Sequence, residues 1–278
     1  MSANDGKAAA AGRKQKLEYE IEIAAPVEAV WKALTDAAEL SRWFPLEAEV
    51  KPGVGGTILL SWGPDCEGTA PISMWEPNRH FQWKEAAAPA PGEKDSGGRV
   101  MVIDWVLEGR GGKTILRLVN SGFTGADCEE EYYGSLEYGW TFMLTNLRHY
   151  IERHMGVPRQ VAWPRKKIEM PRDAVFQKLM GKDGLFVEAA SEHLREGEKY
   201  SLRAATGTTF TGKVEFLRPT RGFCVTVESL NDALFWLTIE GAPGRHEVQL
   251  WLSAYGLPAW QVAAFSDQWS GVLQRLFG

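Results

Sequence analysis

Apolar and polar positions along the chain switch between two periods, and they do so in the same order twice. Residues 21–40 read IEIAAPVEAVWKALTDAAEL and residues 168–185 read IEMPRDAVFQKLMGKDGL. Each alternates like a strand, meets a proline that a first helical turn tolerates, and then spaces its apolar residues like a helix. The shared pattern is P-x-x-A-V-[WF]-x-x-L. Pro26, Val30, Trp31 and Leu34 correspond to Pro171, Val175, Phe176 and Leu179 at a constant offset of 145 residues. Repetition of a strand-helix opening predicts two related units.

Alternating runs then follow, punctuated by turn residues. They cover 56–62, 68–75, 80–85, 99–108 and 113–121 in the first unit, with a hairpin signal at Gly109-Arg110-Gly111-Gly112. In the second unit they cover 199–205, 212–217, 222–229, 233–240 and 246–254. Each unit closes on a long periodic segment. In the first, Tyr133, Leu136, Trp140, Met143, Leu144, Leu147 and Ile151 make one apolar stripe; in the second, Trp260, Phe265, Trp269, Val272, Leu273 and Leu276 do so after Pro258. Trp140 and Trp269 correspond at an offset of 129, so the second unit is shorter by 16 residues. Segment 86–98, AAAPAPGEKDSGG, is the kind of loop it lacks.

Nothing else in either unit is large enough to cover the stripe of its long helix, so that helix must lie across an antiparallel sheet. The fold class is α+β. Its expected organisation is a flexible tail at 1–16, a first domain at 17–156, a semi-rigid linker at 157–165 with two prolines, and a second, shorter domain at 166–278. Matching Trp140 to Trp269 assigns both to helix-on-sheet packing.

Charge and composition narrow the partners. A net charge of -5 supplies no broad basic face for phosphates, which argues against nucleic acid. The longest apolar runs, such as 233–239, fall far short of the roughly 20 residues that span a bilayer. The tail contains no signal-like apolar stretch. Cys66, Cys128 and Cys224 are widely spaced and leave one over if two pair, which fits a reducing cytoplasm.

The chain holds 12 tryptophans, and alternation turns several of them inward. Met101, Ile103, Trp105 and Leu107 share one face of their strand, while Asp104 takes the other. Ile58, Leu60 and Trp62 join them from a second strand, Trp43 and Phe44 from a loop, and Tyr133, Trp140, Met143, Leu144 and Leu147 from the helix. This aromatic wall reads either as a pocket for a flat, apolar ligand or as a filled core. Titratable groups add little. His149 and His154 stand five residues apart, which on an α-helix puts them on different faces and argues against a metal site. His80, His193 and His246 lie in turns or at strand ends. Glu129, Glu130 and Glu131 suit the positive end of the long helix and Arg148 and Arg153 its negative end, so neither group requires a catalytic role. No nucleophile elbow, phosphate loop or cofactor motif is present.

The strand-helix opening, the segment Leu40-Ser41-Arg42-Trp43-Phe44-Pro45 and the closing Gly139-Trp140-x-x-x-Leu144-x-x-Leu147 resemble the Hsp90-ATPase-activator-homologue branch of the START-like helix-grip superfamily. The resemblance covers nearly all of 17–155. The second unit keeps the opening and closing patterns but has Gly184-Leu185-Phe186 in place of Trp43-Phe44, as a degenerate copy would. The resemblance implies two tandem helix-grip domains, each a curved antiparallel sheet wrapped around a long C-terminal helix, with a cavity between sheet and helix. Relatives include hydrophobic-ligand binders, polyketide cyclases or lyases, and co-chaperones. The expected function is a cytoplasmic, non-catalytic binding protein for a hydrophobic small molecule in the first domain, with the second domain stabilising or gating it. Its ligand-contacting residues are then Trp43, Phe44, Ile58, Leu60, Trp62, Met101, Ile103, Trp105, Tyr133, Trp140, Met143, Leu144 and Leu147. The runner-up is a cyclase or lyase using Tyr133, Tyr138 or Arg148. The third is a chaperone partner, set back because the N-terminal module of the eukaryotic activator has no counterpart ahead of Leu17.

Overall fold

Alternation does set the first sheet. The computed structural model describes residues 16–64, 66–87, 98–123, 130–241 and 244–278, so Cys128, the carboxylate at 129 and most of the expected tail and of the 86–98 loop lie outside the described residues. Seven antiparallel strands, β1 (Lys16–Ile23), β2 (Glu47–Lys51), β3 (Thr57–Ser61), β4 (Glu67–Glu76), β5 (His80–Ala86), β6 (Val100–Arg110) and β7 (Lys113–Ser121), run in the order β1-β7-β6-β5-β4-β3-β2. On β6, Met101, Ile103, Trp105 and Leu107 are all buried. Asp104 faces the other way, where His80 Nε2 lies 2.6 Å and Gln82 Nε2 3.0 Å from its Oδ1. β2, EAEVK, escapes the sequence pattern because it offers only Ala48 and Val50 as apolar positions.

Between β1 and β2 run α1 (Val27–Thr35) and the short α2 (Ala37–Leu40), whose first turn is capped by Asp36 accepting from the Glu39 amide at 3.0 Å. The long helix α3 (Glu130–His149) ends in a π-helical turn, Tyr150–His154. In that turn the backbone pairs residues five apart. His149 and His154 therefore share a face after all, with ring centroids 5.0 Å apart. The spacing argument against them assumes α-helical geometry that this turn does not have.

The second sheet repeats the plan with one alteration. Its strands are β8 (Arg159–Ala162), β9 (Arg165–Ile168), β10 (Lys199–Arg203), β11 (Thr209–Arg218), β12 (Gly222–Val227), β13 (Ala233–Glu240) and β14 (His246–Tyr255). They run β10-β11-β12-β13-β14-β8, and β9 also pairs with β14. The opening strand is thus broken in two, β8 against Leu252–Tyr255 and β9 against His246–Gln249. Pro164 sits at the break, where it has no amide to donate, and its carbonyl accepts from Leu250 N at 2.9 Å. The expected linker at 157–165 is therefore not a linker throughout, since it contributes strand to the second sheet. Helices α4 (Arg172–Met180), α5 (Ala190–His193) and α6 (Ala259–Phe277) complete the unit. On α6, Trp269 is fully buried among Phe235, Phe265 and Phe210, the helix-on-sheet role expected of it.

The two sheets differ in how many faces they bury. One side of the second packs on α6 through Phe235, Leu237, Leu250 and Leu252. Its other side carries Phe216, Cys224, Leu234, Trp236 and Trp251, which pack on Tyr138 and Phe142 of α3. This is why β12 and β13 read as nearly unbroken apolar runs: a strand covered on both faces has no polar side. Phe142 stacks on Trp236 with centroids 4.1 Å apart and planes 8° from parallel. Tyr138 donates from its hydroxyl to the Leu237 carbonyl at 2.7 Å. Arg148 and Arg153 reach the same unit, pairing with Glu215 at 3.2 Å and Asp232 at 2.7 Å. Truncating the stacked ring should be costly: Phe142→Ala is expected to lose about 3 to 5 kcal/mol in denaturant unfolding of the full chain, whereas Arg148→Ala should lose under about 1 kcal/mol, as partly exposed ion pairs do.

Candidate ligand cavity

The first sheet and the N-terminal half of α3 do not meet everywhere. Between them lies a cavity of about 490 Å³, open to solvent along the exposed edge at residues 67–69. Its walls come from β3 (Ile58, Leu60), the following Trp62, β4 (Gly68 to Ala70), β5 (Trp83, Glu85), β6 (Ile103), β7 (Asn120) and α3 (Leu136, Gly139, Trp140, Met143), with Phe44 closing one side.

Phe44 is positioned by its backbone neighbours. Every carbonyl from Arg42 to Pro45 is taken: Tyr255 donates to Arg42 O at 2.9 Å, Asn146 to Trp43 O, and Arg159 to Phe44 O at 3.4 Å and to Pro45 O. Arg42 itself bonds the buried Glu39 at 2.8 Å, and the Tyr150 hydroxyl donates to the same carboxylate. The Leu40–Pro45 segment is thus fixed by side chains from both units. Phe44 then stacks on Trp140 at 5.6 Å and meets Trp62 edge-on at 5.2 Å.

Of the residues expected to contact a ligand, Phe44, Ile58, Leu60, Trp62, Ile103, Trp140 and Met143 converge on the cavity. Six do not. Trp43 lies behind Phe44, fully buried, with its indole donating to Ala33 O at 2.8 Å. Trp105 sits beneath the wall, edge-on to Trp140 at 5.7 Å. Met101, Leu144 and Leu147 belong to the filled core. Tyr133 turns toward the sheet edge, donating to Lys16 O at 2.9 Å. The alternatives of hollow pocket and filled core both hold, at different levels of one helix: its N-terminal half borders space and its C-terminal half is packed. Trp140 stands at the transition, so it packs as Trp269 does and also walls the cavity.

The catalytic groups named for a cyclase are elsewhere. Tyr138 is buried between the units, Tyr133 is at the sheet edge, and Arg148 pairs with Glu215. Two polar residues that alternation could have found line the cavity instead. Asn120 follows Thr114, Leu116 and Leu118 on the inward face of β7, and Glu85 follows Phe81 and Trp83 on that of β5. Asn120 is only 3% exposed, and its Oδ1 has no hydrogen-bond partner among the described residues. Burial raises the Glu85 carboxyl above its usual range, partly offset by the Trp83 indole, which donates to it at 3.3 Å. A third missed feature is a space: a Cβ built on Gly139 would meet nothing within 4 Å.

A carboxyl whose folded pKa is raised is deprotonated first in the unfolded chain, so its effect on stability is fully favourable only below the unfolded value of about 4.3 and is lost as pH rises through the folded one. Glu85→Gln removes that titration. The variant should therefore melt above the wild type at pH 8, and its advantage should shrink steadily as thermal scans approach pH 4.

Residues 24–152 match the family model described as Activator of Hsp90 ATPase homolog 1-like protein. No curated protein sequence matches the chain. Among solved structures, a protein from Mesorhizobium loti aligns with 50% of this chain and 98% of its own at 25% identity and a TM-score of 0.43. The Aha1 dimer from Colwellia psychrerythraea aligns with 51% of this chain and 98% of its own at 20% identity and a TM-score of 0.43. DynU16, from the dynemicin biosynthetic locus, aligns with 95% of this chain and 96% of its own at 17% identity and a TM-score of 0.42.

Proposed function

We propose, from the premise of an Hsp90-ATPase-activator-homologue-like domain at residues 24–152, that the protein is a cytoplasmic binder of a hydrophobic small molecule carrying one polar group. The observation that carries this reading is the cleft of about 490 Å³, open to solvent on the side of residues 67–69, that reaches into an otherwise packed aromatic core. Concave, mostly apolar clefts with a few polar groups are where small ligands bind, and such sites run from roughly 300 to 1,000 Å³. Its flat walls, Trp62, Trp83 and Trp140, suit a planar apolar body. Asn120 supplies a buried amide for one hydrogen bond, whose absence from the ligand would leave a desolvated group unmatched. The second unit serves as a brace, because Tyr255 and Arg159 hold the segment that carries Phe44. Cytoplasmic residence is supported by Cys66 and Cys224, which form no disulfide among the described residues.

One observation favours an enzymatic alternative. Glu85 is an ionisable group on the cavity wall whose pKa is moved toward neutrality, the property expected of a general acid or base. Turnover of aromatic polyketide-like substrates, lost in Glu85→Gln while binding persists, would move this reading ahead.

Gly139 provides the test of binding. Filling its open space with a side chain should exclude ligand while improving helix propensity by about 0.8 to 1 kcal/mol. Gly139→Leu is expected to keep or raise the melting temperature and to weaken binding of an apolar fluorescent probe at least about tenfold, measured by titration. Unchanged probe affinity in this variant would overturn the cavity assignment.

A further inference from the structure

The π-helical turn that ends α3 brings together three groups that no part of the cavity reading uses. His149 and His154 lie one above the other on its inner face, each 7% exposed. Asp232 enters from the second unit, on the turn between residues 228–230 and β13. One potential ligand atom from each of the three lies within 4.8 Å of the others.

Several features hold this arrangement. Asn231 and Asp232 both take left-handed backbone conformations, with φ of 55° and 59°, which point the turn at the helix. Asn231 fixes it by donating to the Tyr255 carbonyl at 2.8 Å. Tyr255 stacks flat on His154, with centroids 4.5 Å apart and planes 8° from parallel. Nε2 of His154 is buried without a hydrogen-bond partner among the described residues, a costly position for a polar nitrogen. Nε2 of His149 lies 2.6 Å from the Asp232 carbonyl oxygen.

We propose that His149, His154 and Asp232 form a binding site for a divalent transition metal of the zinc class, bridging the two units. Two imidazoles and one carboxylate are a donor set that such ions accept, leaving a further position for water. Donor atoms around a tetrahedral ion with bonds of about 2.0–2.1 Å stand roughly 3.3 Å apart. Binding therefore draws the three side chains inward and takes His149 off the Asp232 carbonyl. Arg153, 2.7 Å from Asp232 Oδ2, remains beside the site and limits affinity through its charge.

The test uses the full chain, stripped with chelator and then titrated with Zn²⁺ or Co²⁺, with Mg²⁺ as a control. Zn²⁺ should raise the melting temperature, Co²⁺ should give visible ligand-field absorption, and Mg²⁺ should do neither. Asp232→Asn, a change of nearly equal shape on a turn whose left-handed backbone Asn tolerates, should fold and weaken Zn²⁺ binding at least about tenfold. His154→Gln should do the same. Cys66→Ser, which removes the exposed thiol as a competing ligand, should leave both signals intact. Absence of any Zn²⁺ or Co²⁺ response in the wild type, an equal response in Asp232→Asn, or loss of the response in Cys66→Ser would each overturn the site.

Discussion

Helix α3 has to satisfy two sheets at once, and the rest of the molecule follows from that demand. With 3.6 residues per turn, positions two apart point to nearly opposite sides. Trp140, Leu144, Leu147 and Ile151 face the first sheet, while Tyr138 and Phe142 face the second. A helix with one apolar stripe would leave the outer face of β11 to β14 open to water. Here that face is closed by two aromatic residues on the back of a neighbour's core helix. The units are consequently joined through a shared element, and the short ion pairs around Arg148 and Arg153 only border what the rings bury.

The same sharing explains where the cavity lies. At the C-terminal end of α3, Tyr150, Asn146 and the π-turn are tied to Glu39, Trp43 and Tyr255, so the helix is drawn tightly onto the sheet. Toward its N-terminus the helix turns the small Gly139 and Ser135 toward the sheet beside Leu136, no comparable buried ties among the described residues draw it in, and space remains. Hollow and filled core are two ends of one helix-sheet contact that buried hydrogen bonds tie down at only one of them.

Much of this was legible in the sequence, for identifiable reasons. The inward set Met101, Ile103, Trp105 and Leu107 is found because a strand's period of two is rigid, and the long helices because their stripes run over several turns. Seven of the thirteen expected contact residues line the cavity; Trp105 does not, because alternation tells which side of a sheet a residue takes but not how deep it lies, and Trp43 does not, because its turn stacks it behind Phe44. Asn120 and Glu85 follow the same alternation, but a polar side chain on an inward face does not stand out from the bulky apolar set around it. β8 was hidden by the two prolines around it. The pairing of His149 with His154 was hidden by a change in helical period that side-chain pattern does not encode. The apolar run 233–239 was visible, but its cause, burial on both faces, needs a partner that sequence order does not supply.

One consequence concerns synthesis. The chain makes α3 before any strand of the second sheet, and the ring of Phe142 waits for Trp236 and Trp251, the latter 109 residues further on. At roughly 5–20 residues per second, the outer aromatic face of a completed first unit stays uncovered on the ribosome for about 5 to 20 s. During that interval the nascent chain presents Tyr138 and Phe142 to solvent, so the stage at which this protein is most prone to capture by chaperones or to self-association falls in the middle of its translation.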